Sequence, residues 1–470
     1  MIKSFSAMVT AILLLSPATS DGKPAAGPLR VSRENPRYFS DASGKIIYLA
    51  GSQSGGWDVQ DDTFSGYVAI GARVSFDFRK YLKYAEGHKQ NLIRLWVVEN
   101  TLFDKGPQDQ IATPMPFLRT GPGNALDGRP KFDLTRHDPA YFRRLRSAVA
   151  AAHDRGIYVM VMLFEAYSSV RRVGKGYAHP GANPWIGHPF NVQNNINGVN
   201  ADVNGDGMGT EYHSSASPAV VELQKAYVRK VIDTLNDLDN VLYEMANEST
   251  QESRNWQYEM IRFIKEYQSK KPKQHPVVMS TYWPADLPAL FASPADAVAP
   301  AGYRDDPPAA TGEKVVFADQ DHNGWNNKDP RYVWKNCLRG NNVVLYDPDV
   351  IPFDWGRGMM RPDDNSREPI RRAVKNTRAW AERINLAEMT PQGILSSTGY
   401  CLAKTPGEYL AYQPKSGEFS VSLKAGQYAY EWFDPSKGSV VERGSLVAAG
   451  GNHTFKPPFG GGAVLYLKAQ

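Results

Sequence analysis

The chain has 470 residues, longer than one ordinary compact domain, and 42% are hydrophobic against 22% charged, a balance that can bury a sizeable core. The formal net charge is only +5 and no concentrated Lys/Arg stripe stands out, which excludes the electrostatic footprint of a nucleic-acid binder; Arg143, Arg144 and Arg146 read as the solvated face of a helix. Ten Trp and 24 Tyr supply many flat faces, but such faces serve cores and ligand clefts alike.

At the N-terminus, Lys3 precedes a short apolar run over 7–15 and the small residues Ala18-Thr19-Ser20. This pattern reads as a removable export signal over 1–20, giving a mature chain that is secreted or periplasmic. The run is too short to span a bilayer, and no later stretch approaches ~18 continuous apolar residues, so no membrane contact is expected once the signal is removed.

From there, apolar strand-like runs alternate with segments of helical period. The runs cover 45–51, 91–99, 156–165, 240–248, 275–280, 295–300, 314–319 and 341–347. Helices are predicted over 138–155, 218–235, 254–269 and 330–339, with Ser217 and Pro218 forming a typical N-terminal pair. Strands alternating with helices imply a parallel sheet, and eight of them imply a closed (β/α)8 barrel. The continuously apolar strands fit a sheet covered on both faces. An open doubly wound sheet is the alternative, but no Gly-x-Gly-x-x-Gly turn follows the first strand. After a helix ending near Ala387 the pattern becomes short alternating strands separated by turns such as Pro414-Lys-Ser-Gly417. The expected organisation is therefore a barrel over 21–390 and a small antiparallel β-sandwich over 391–470. The only cysteines, Cys337 and Cys401, fall on either side of that boundary and read as two buried free thiols.

Barrel sites form where the strands end. Those ends carry Glu99, Glu165, Glu248, Asp319 with Asp321, and Asp347, an acidic mouth. Cleavage of a glycosidic bond uses two carboxyl groups, one to protonate the leaving oxygen and one as nucleophile or as base for water. Glu99 and Asp347 read instead as a cap or a loop ion pair, and Glu244 faces the barrel interior as a support. Trp57, Trp96 and Trp325 lie at or just beyond strand ends, placed either to stack on a sugar or to pack the rim.

Tyr243-Glu-Met-Ala-Asn-Glu248 resembles the fourth-strand signature of clan A glycoside hydrolases. The resemblance implies Glu248 as general acid/base, Asn247 as a contact to the sugar hydroxyl beside the reacting carbon, and Arg94 as a hydrogen-bond partner of the nucleophile. A core ion pair between Arg94 and Glu244 is the other reading. The chain departs from that clan at strand seven, where Phe317-Ala-Asp-Gln-Asp-His322 replaces the expected Glu. Strand length puts Asp319 at the nucleophile position, ahead of Asp321 two residues further out. The shorter side chain opens the question of retention or inversion. Together with Val333-Trp-Lys-Asn-Cys-Leu-Arg-Gly340, Tyr430-Glu-Trp-Phe-Asp-Pro435 and Phe455-Lys-Pro-Pro-Phe459, the whole mature chain is similar to cellulase-like and apiosidase-like barrels. The C-terminal module of that group carries collagen binding in its name.

Asp202, Asn204, Asp206 and Gly207 imitate the start of a calcium loop, but His213 stands at the twelfth position, and an Asx/Gly turn is the preferred reading. His188 and His213 in the same long loop could reach the cleft, although exposed polar roles are preferred. No His-x-x-x-His or Cys-rich spacing points to zinc, and no Gly-x-Ser-x-Gly elbow points to an esterase, so neither metal nor cofactor is expected. The leading expectation is an exported glycoside hydrolase acting on a carbohydrate, with Glu248 as acid, Asp319 or Asp321 as its partner, and Arg94, Asn247, His322, Glu165 and the tryptophans around the sugar. The alternative is a non-catalytic carbohydrate- or matrix-binding protein on the same scaffold. A matrix protease is a third and weaker reading.

Overall fold

The computed structural model describes residues 23–53, 59–65, 68–74, 77–101, 112–166, 183–324, 327–347 and 365–470. The expected export signal, Trp57 and Trp325 lie outside the described residues.

Eight parallel strands close into a barrel. They are β1 (Ala50–Gln53), β2 (Leu92–Leu95), β3 (Tyr158–Glu165), β4 (Val241–Asn247), β5 (Val277–Ser280), β6 (Ala297–Ala299), β7 (Val315–Asp319) and β8 (Asn342–Tyr346). The order follows the chain, and β8 pairs with β1 to close the ring. The open doubly wound alternative is thereby excluded. Strand β1 begins later than the apolar run suggests: Ile46–Ile47 instead pairs antiparallel with Phe39–Ser40 in a small sheet. Gly51 lies opposite Leu92, and a Cβ on it would sit 1.8 Å from the Leu92 carbonyl oxygen, so only glycine lets β1 reach β2.

Helices α1 (Phe78–Gly87), α2 (Pro139–His153), α3 (Pro218–Leu235), α4 (Arg254–Ser269), α5 (Leu287–Phe291), α6 (Arg331–Leu338) and α7 (Glu368–Arg383) belong to the intervening segments. Local chemistry sets their starts: the Asp138 side chain accepts the Ala140 N–H, the Ser217 side chain accepts the Val220 N–H, and each helix opens on proline. A hairpin, Phe117–Asn124 with Pro130–His137, precedes α2.

The C-terminal strands form two antiparallel sheets. In the six-stranded sheet the order is β9 (Thr390–Pro391), β10 (Cys401–Lys404), β11 (Glu408–Gln413), the last strand of the chain (Ala463–Ala469), then Gly426–Asp434 and Ser439–Ala448. Phe419–Leu423 pairs with Gly451–Phe455 to make the facing two-stranded sheet. Phe419, Val421 and Trp432 share the core between them. The outer face of the larger sheet packs on α6 and α7. Trp334 stacks on Tyr412 at 5.7 Å, while Trp380 lies 5.6 Å from Phe433 and 5.3 Å from Tyr466. Tyr412, Phe433 and Tyr466 thus belong to the same buried cluster as the barrel helices. Cys337 and Cys401 are buried free thiols.

A continuous core implies one cooperative unit. Trp380→Ala should cost about 3–5 kcal/mol, and urea unfolding followed by tryptophan fluorescence and by circular dichroism should give one coincident transition whose midpoint falls in the variant.

Candidate active site

Arg94, on β2, projects into the barrel mouth and is completely buried. Its Nε and Nη2 donate to the two oxygens of Glu244, each at 2.7 Å, a bidentate pair between β2 and β4. Its Nη1 donates to the Gln53 side-chain carbonyl at 2.7 Å and lies 3.2 Å from Asp319 and 3.3 Å from Asp321. Nη2 also donates to the Asn247 side-chain oxygen at 2.6 Å. The core ion pair with Glu244 is therefore present, and the same guanidinium also reaches the strand-seven aspartates.

The two aspartates differ sharply in setting. Asp319 is 1% exposed; one oxygen accepts from the Gln53 side-chain amide at 2.7 Å and from the Asp321 backbone N–H at 3.1 Å. Asp321 lies further out, and one of its oxygens lies within 4.8 Å of both a Glu248 oxygen and a His322 ring nitrogen. His322 Nε2 is also 3.2 Å from the Asn247 side-chain oxygen. Glu248 follows the last residue of β4 with φ at +46°, one of two non-glycine residues among those described in the left-handed region. Such a backbone costs on the order of 1–3 kcal/mol and collects at functional sites.

Burial raises the Asp319 carboxyl to about 6, with the Arg94 charge opposing and Glu244 adding to the rise. Burial likewise raises Asp321, with His322 and Arg94 opposing. Glu244 goes the other way: burial would raise it, but the charge and hydrogen bonds of Arg94 hold it below its ordinary value.

Glu165, at the end of β3, is buried, and its side chain lies 3.4 Å from the Asn247 amide nitrogen. Trp96 is 4% exposed; its indole N–H donates to Gln53, and its ring lies under the Arg94 guanidinium at 5.4 Å. Asp347 forms a bidentate pair with Arg371 on α7, with both bonds at 2.8 Å, and accepts from the Tyr84 hydroxyl. Glu99 pairs with His213 at 3.0 Å and faces His188 at 3.9 Å. Both histidines are 1% exposed, which corrects the expectation of exposed polar roles: aromatic rings surround them and Glu99 supplies the partner that burial demands. The Asp202 carboxylate closes its own turn by accepting the N–H groups of Gly205, Asp206 and Gly207. Sequence reasoning missed Gln53 and Ser280, which donate to Asp319 and Glu244. Both end barrel strands; Ser280 also ends its apolar run, whereas the first run stops at Gly51, two residues short of Gln53.

Among the described residues, Glu248, Asp321 and His322 are the group spaced to hold a metal ion. Arg94 sits 3.3 Å from the Asp321 carboxylate, so a cation there would compete with a buried guanidinium for the same oxygens.

Residues 112–286 match the family described as a domain of unknown function (DUF6298), a span that holds Glu165 and Glu248 but neither strand-seven aspartate. No curated protein matches the chain. Among solved structures, a glycoside hydrolase family 5 protein from Bacteroides vulgatus is similar at a TM-score of 0.60 and 12% identity, over 95% of this chain and 95% of its own. A second structure, a glycoside hydrolase, is similar at a TM-score of 0.58 and 12% identity, over 94% of this chain and 97% of its own. The likeness is one of fold, and it extends through the C-terminal strands.

Glu99 gives a pH-dependent prediction. Burial opposes its ionisation, but His213 and His188 hold its carboxyl down at about 2, against an ordinary 4.5. The resulting stability is present above pH 4.5 and is lost as the pH falls towards 2. Glu99→Gln should lower the unfolding free energy near pH 5 by about 1–3 kcal/mol and flatten its slope across this window, as measured by urea unfolding at a series of pH values.

Proposed function

We propose that the chain is an exported glycoside hydrolase that cleaves O-glycosidic bonds with retention, with Glu248 as acid/base and Asp321 as nucleophile. The observation that carries this reading is the approach of a Glu248 oxygen and an Asp321 oxygen to within 4.8 Å across the barrel mouth. Inverting pairs leave about 6.5–9.5 Å for a water, whereas retaining pairs stand about 5–5.5 Å apart. Asp321 moves ahead of Asp319 in this proposal because its oxygen approaches Glu248, whereas Asp319 is buried with one oxygen held by Gln53 and the Asp321 N–H and the other beside Arg94. The kinship with cellulase-like and apiosidase-like barrels belongs to the same proposal, with a plant or microbial heteropolysaccharide as the source of the substrate.

In the first step an Asp321 oxygen attacks the anomeric carbon as the bond to the leaving oxygen breaks, and Glu248 gives its proton to that oxygen. In the second step Glu248 takes a proton from water, the water oxygen attacks the same carbon, and the Asp321 carboxylate departs. Arg94 steadies the departing carboxylate from 3.3 Å. Asn247, held by Arg94 and His322, faces the hydroxyl beside the reacting carbon.

A panel of plant and microbial glycans and aryl glycosides provides the test. Glu248→Gln and Asp321→Asn should each lower kcat/KM by about 10³-fold or more, and Asp319→Asn by about 10–100-fold. The Glu248→Gln loss should shrink for a dinitrophenyl leaving group, which departs without a proton. Turnover that survives both of the first two changes overturns the assignment. A wild-type chain that binds glycans from the panel and cleaves none supports the non-catalytic alternative.

A further inference from the structure

Strand β2 ends at Leu95, opposite Val161, so the end of β3 from Met162 to Glu165 extends beyond the β2 ladder. The Glu99 side chain occupies that gap. Its Oε1 accepts the Glu165 backbone N–H at 3.0 Å and faces His213 Nε2, also at 3.0 Å. One residue further, the Ala166 N–H donates to the Asn247 carbonyl oxygen at 3.0 Å. That carbonyl belongs to the peptide entering Glu248, the residue with left-handed backbone. Beside it, the Glu165 side chain meets the Asn247 amide at 3.4 Å.

The other side of Glu99 is equally fixed. His213 stacks on Trp256 at 4.9 Å and meets the edge of Phe164 at 5.9 Å, while His188 stacks on Trp185 at 4.7 Å. Trp256 donates to Gln224 on α3, which in turn donates to the Tyr212 carbonyl. The short turn carrying His213 starts at Gly209, where a Cβ would sit 2.2 Å from the Trp185 ring. A carboxylate buried among aromatic rings is costly without partners. Here its partners include two imidazoles and one strand-end N–H.

We infer that Glu99 is a positioning residue of the barrel mouth, aligning the peptide that enters Glu248 through the end of β3, with His213 and His188 holding Glu99 in place. The inference rests on the assignment of Glu248 to the reacting pair, but the chain of contacts from Glu99 to the Asn247 carbonyl has its own readout. A passive packing role would lower stability without touching the reacting group.

The experiment compares Glu99→Ala and Glu99→Gln in the full chain, well below their unfolding temperatures. Glu99→Ala removes the acceptor for the Glu165 N–H and should lower kcat by about 10–100-fold with KM changed less than about twofold, the signature of an interaction that matters in the transition state. Glu99→Gln keeps an oxygen for that N–H and should restore most of kcat. Amide exchange should speed up at least tenfold at Glu165 and Ala166 in Glu99→Ala and stay unchanged at Phe317 on β7. His213→Ala, which leaves Glu99 in place without its imidazole, should give a smaller change of the same kind. Unchanged exchange at Ala166, or a kcat per folded molecule equal to wild type, overturns the inference. If Glu248→Gln retains turnover while the exchange pattern appears as expected, the positioning of the peptide stands and the assignment of Glu248 falls.

Discussion

One buried guanidinium organises the mouth of this barrel. Arg94 sits where Glu244, Asp319 and Asp321 converge, and burying three carboxylates together without a cation would be prohibitive. Arg94 alone does not balance three acids, and His322 stands as a second base 3.7 Å from Asp319 and 3.9 Å from Asp321. The shortfall is unevenly shared. Glu244, gripped in two places, is held ionised, while Asp319 and Asp321 are pushed towards protonation by the same burial. Neutral dipoles complete the arrangement: Gln53 gives its carbonyl to Arg94 and its amide to Asp319, and Asn247 gives its carbonyl to Arg94. All of these residues except Asp321 and His322 end a barrel strand or lie on one, so a change in strand register would dismantle several contacts at once.

The barrel was legible because its strands are continuously apolar and the helices between them carry clear start signals. Ser217 with Pro218 and Asp138 with Pro139 mark helix starts in the structure where the sequence places them. The start of β1 was less legible. Apolar character from Ile46 onward suggests a strand, but the close approach of Gly51 to Leu92 depends on a partner 41 residues away. The apolar run also stops at Gly51, short of the strand's end, which is why Gln53 escaped notice as a strand-end residue.

The acidic residues of the mouth were legible as a set, because carboxylates at strand ends stand out against apolar runs. Their division of labour was less so. The buried network behind Asp319 involves Gln53 on β1 and Arg94 on β2, and no local pattern announces a contact spanning 266 residues. The burial of His188 and His213 was hidden for a related reason: polar loops suggest exposure, and only the packing of Trp185, Tyr212 and Trp256 around the imidazoles makes an interior there.

The contact between the C-terminal sheets and the barrel helices bears on how this chain could be divided or recombined. Trp334 and Trp380 lie beneath Tyr412, Phe433 and Tyr466, and Arg383 spans the seam by covering the rings of Trp380 and Tyr466 and pairing with Glu431. A barrel cut free at the start of β9 would present two bare indoles on adjacent helices, a sticky face of the kind that drives self-association. The sandwich is therefore no interchangeable appendage on a tether. Its orientation is inherited with the barrel, and any surface it exposes stands at a fixed distance and angle from the mouth.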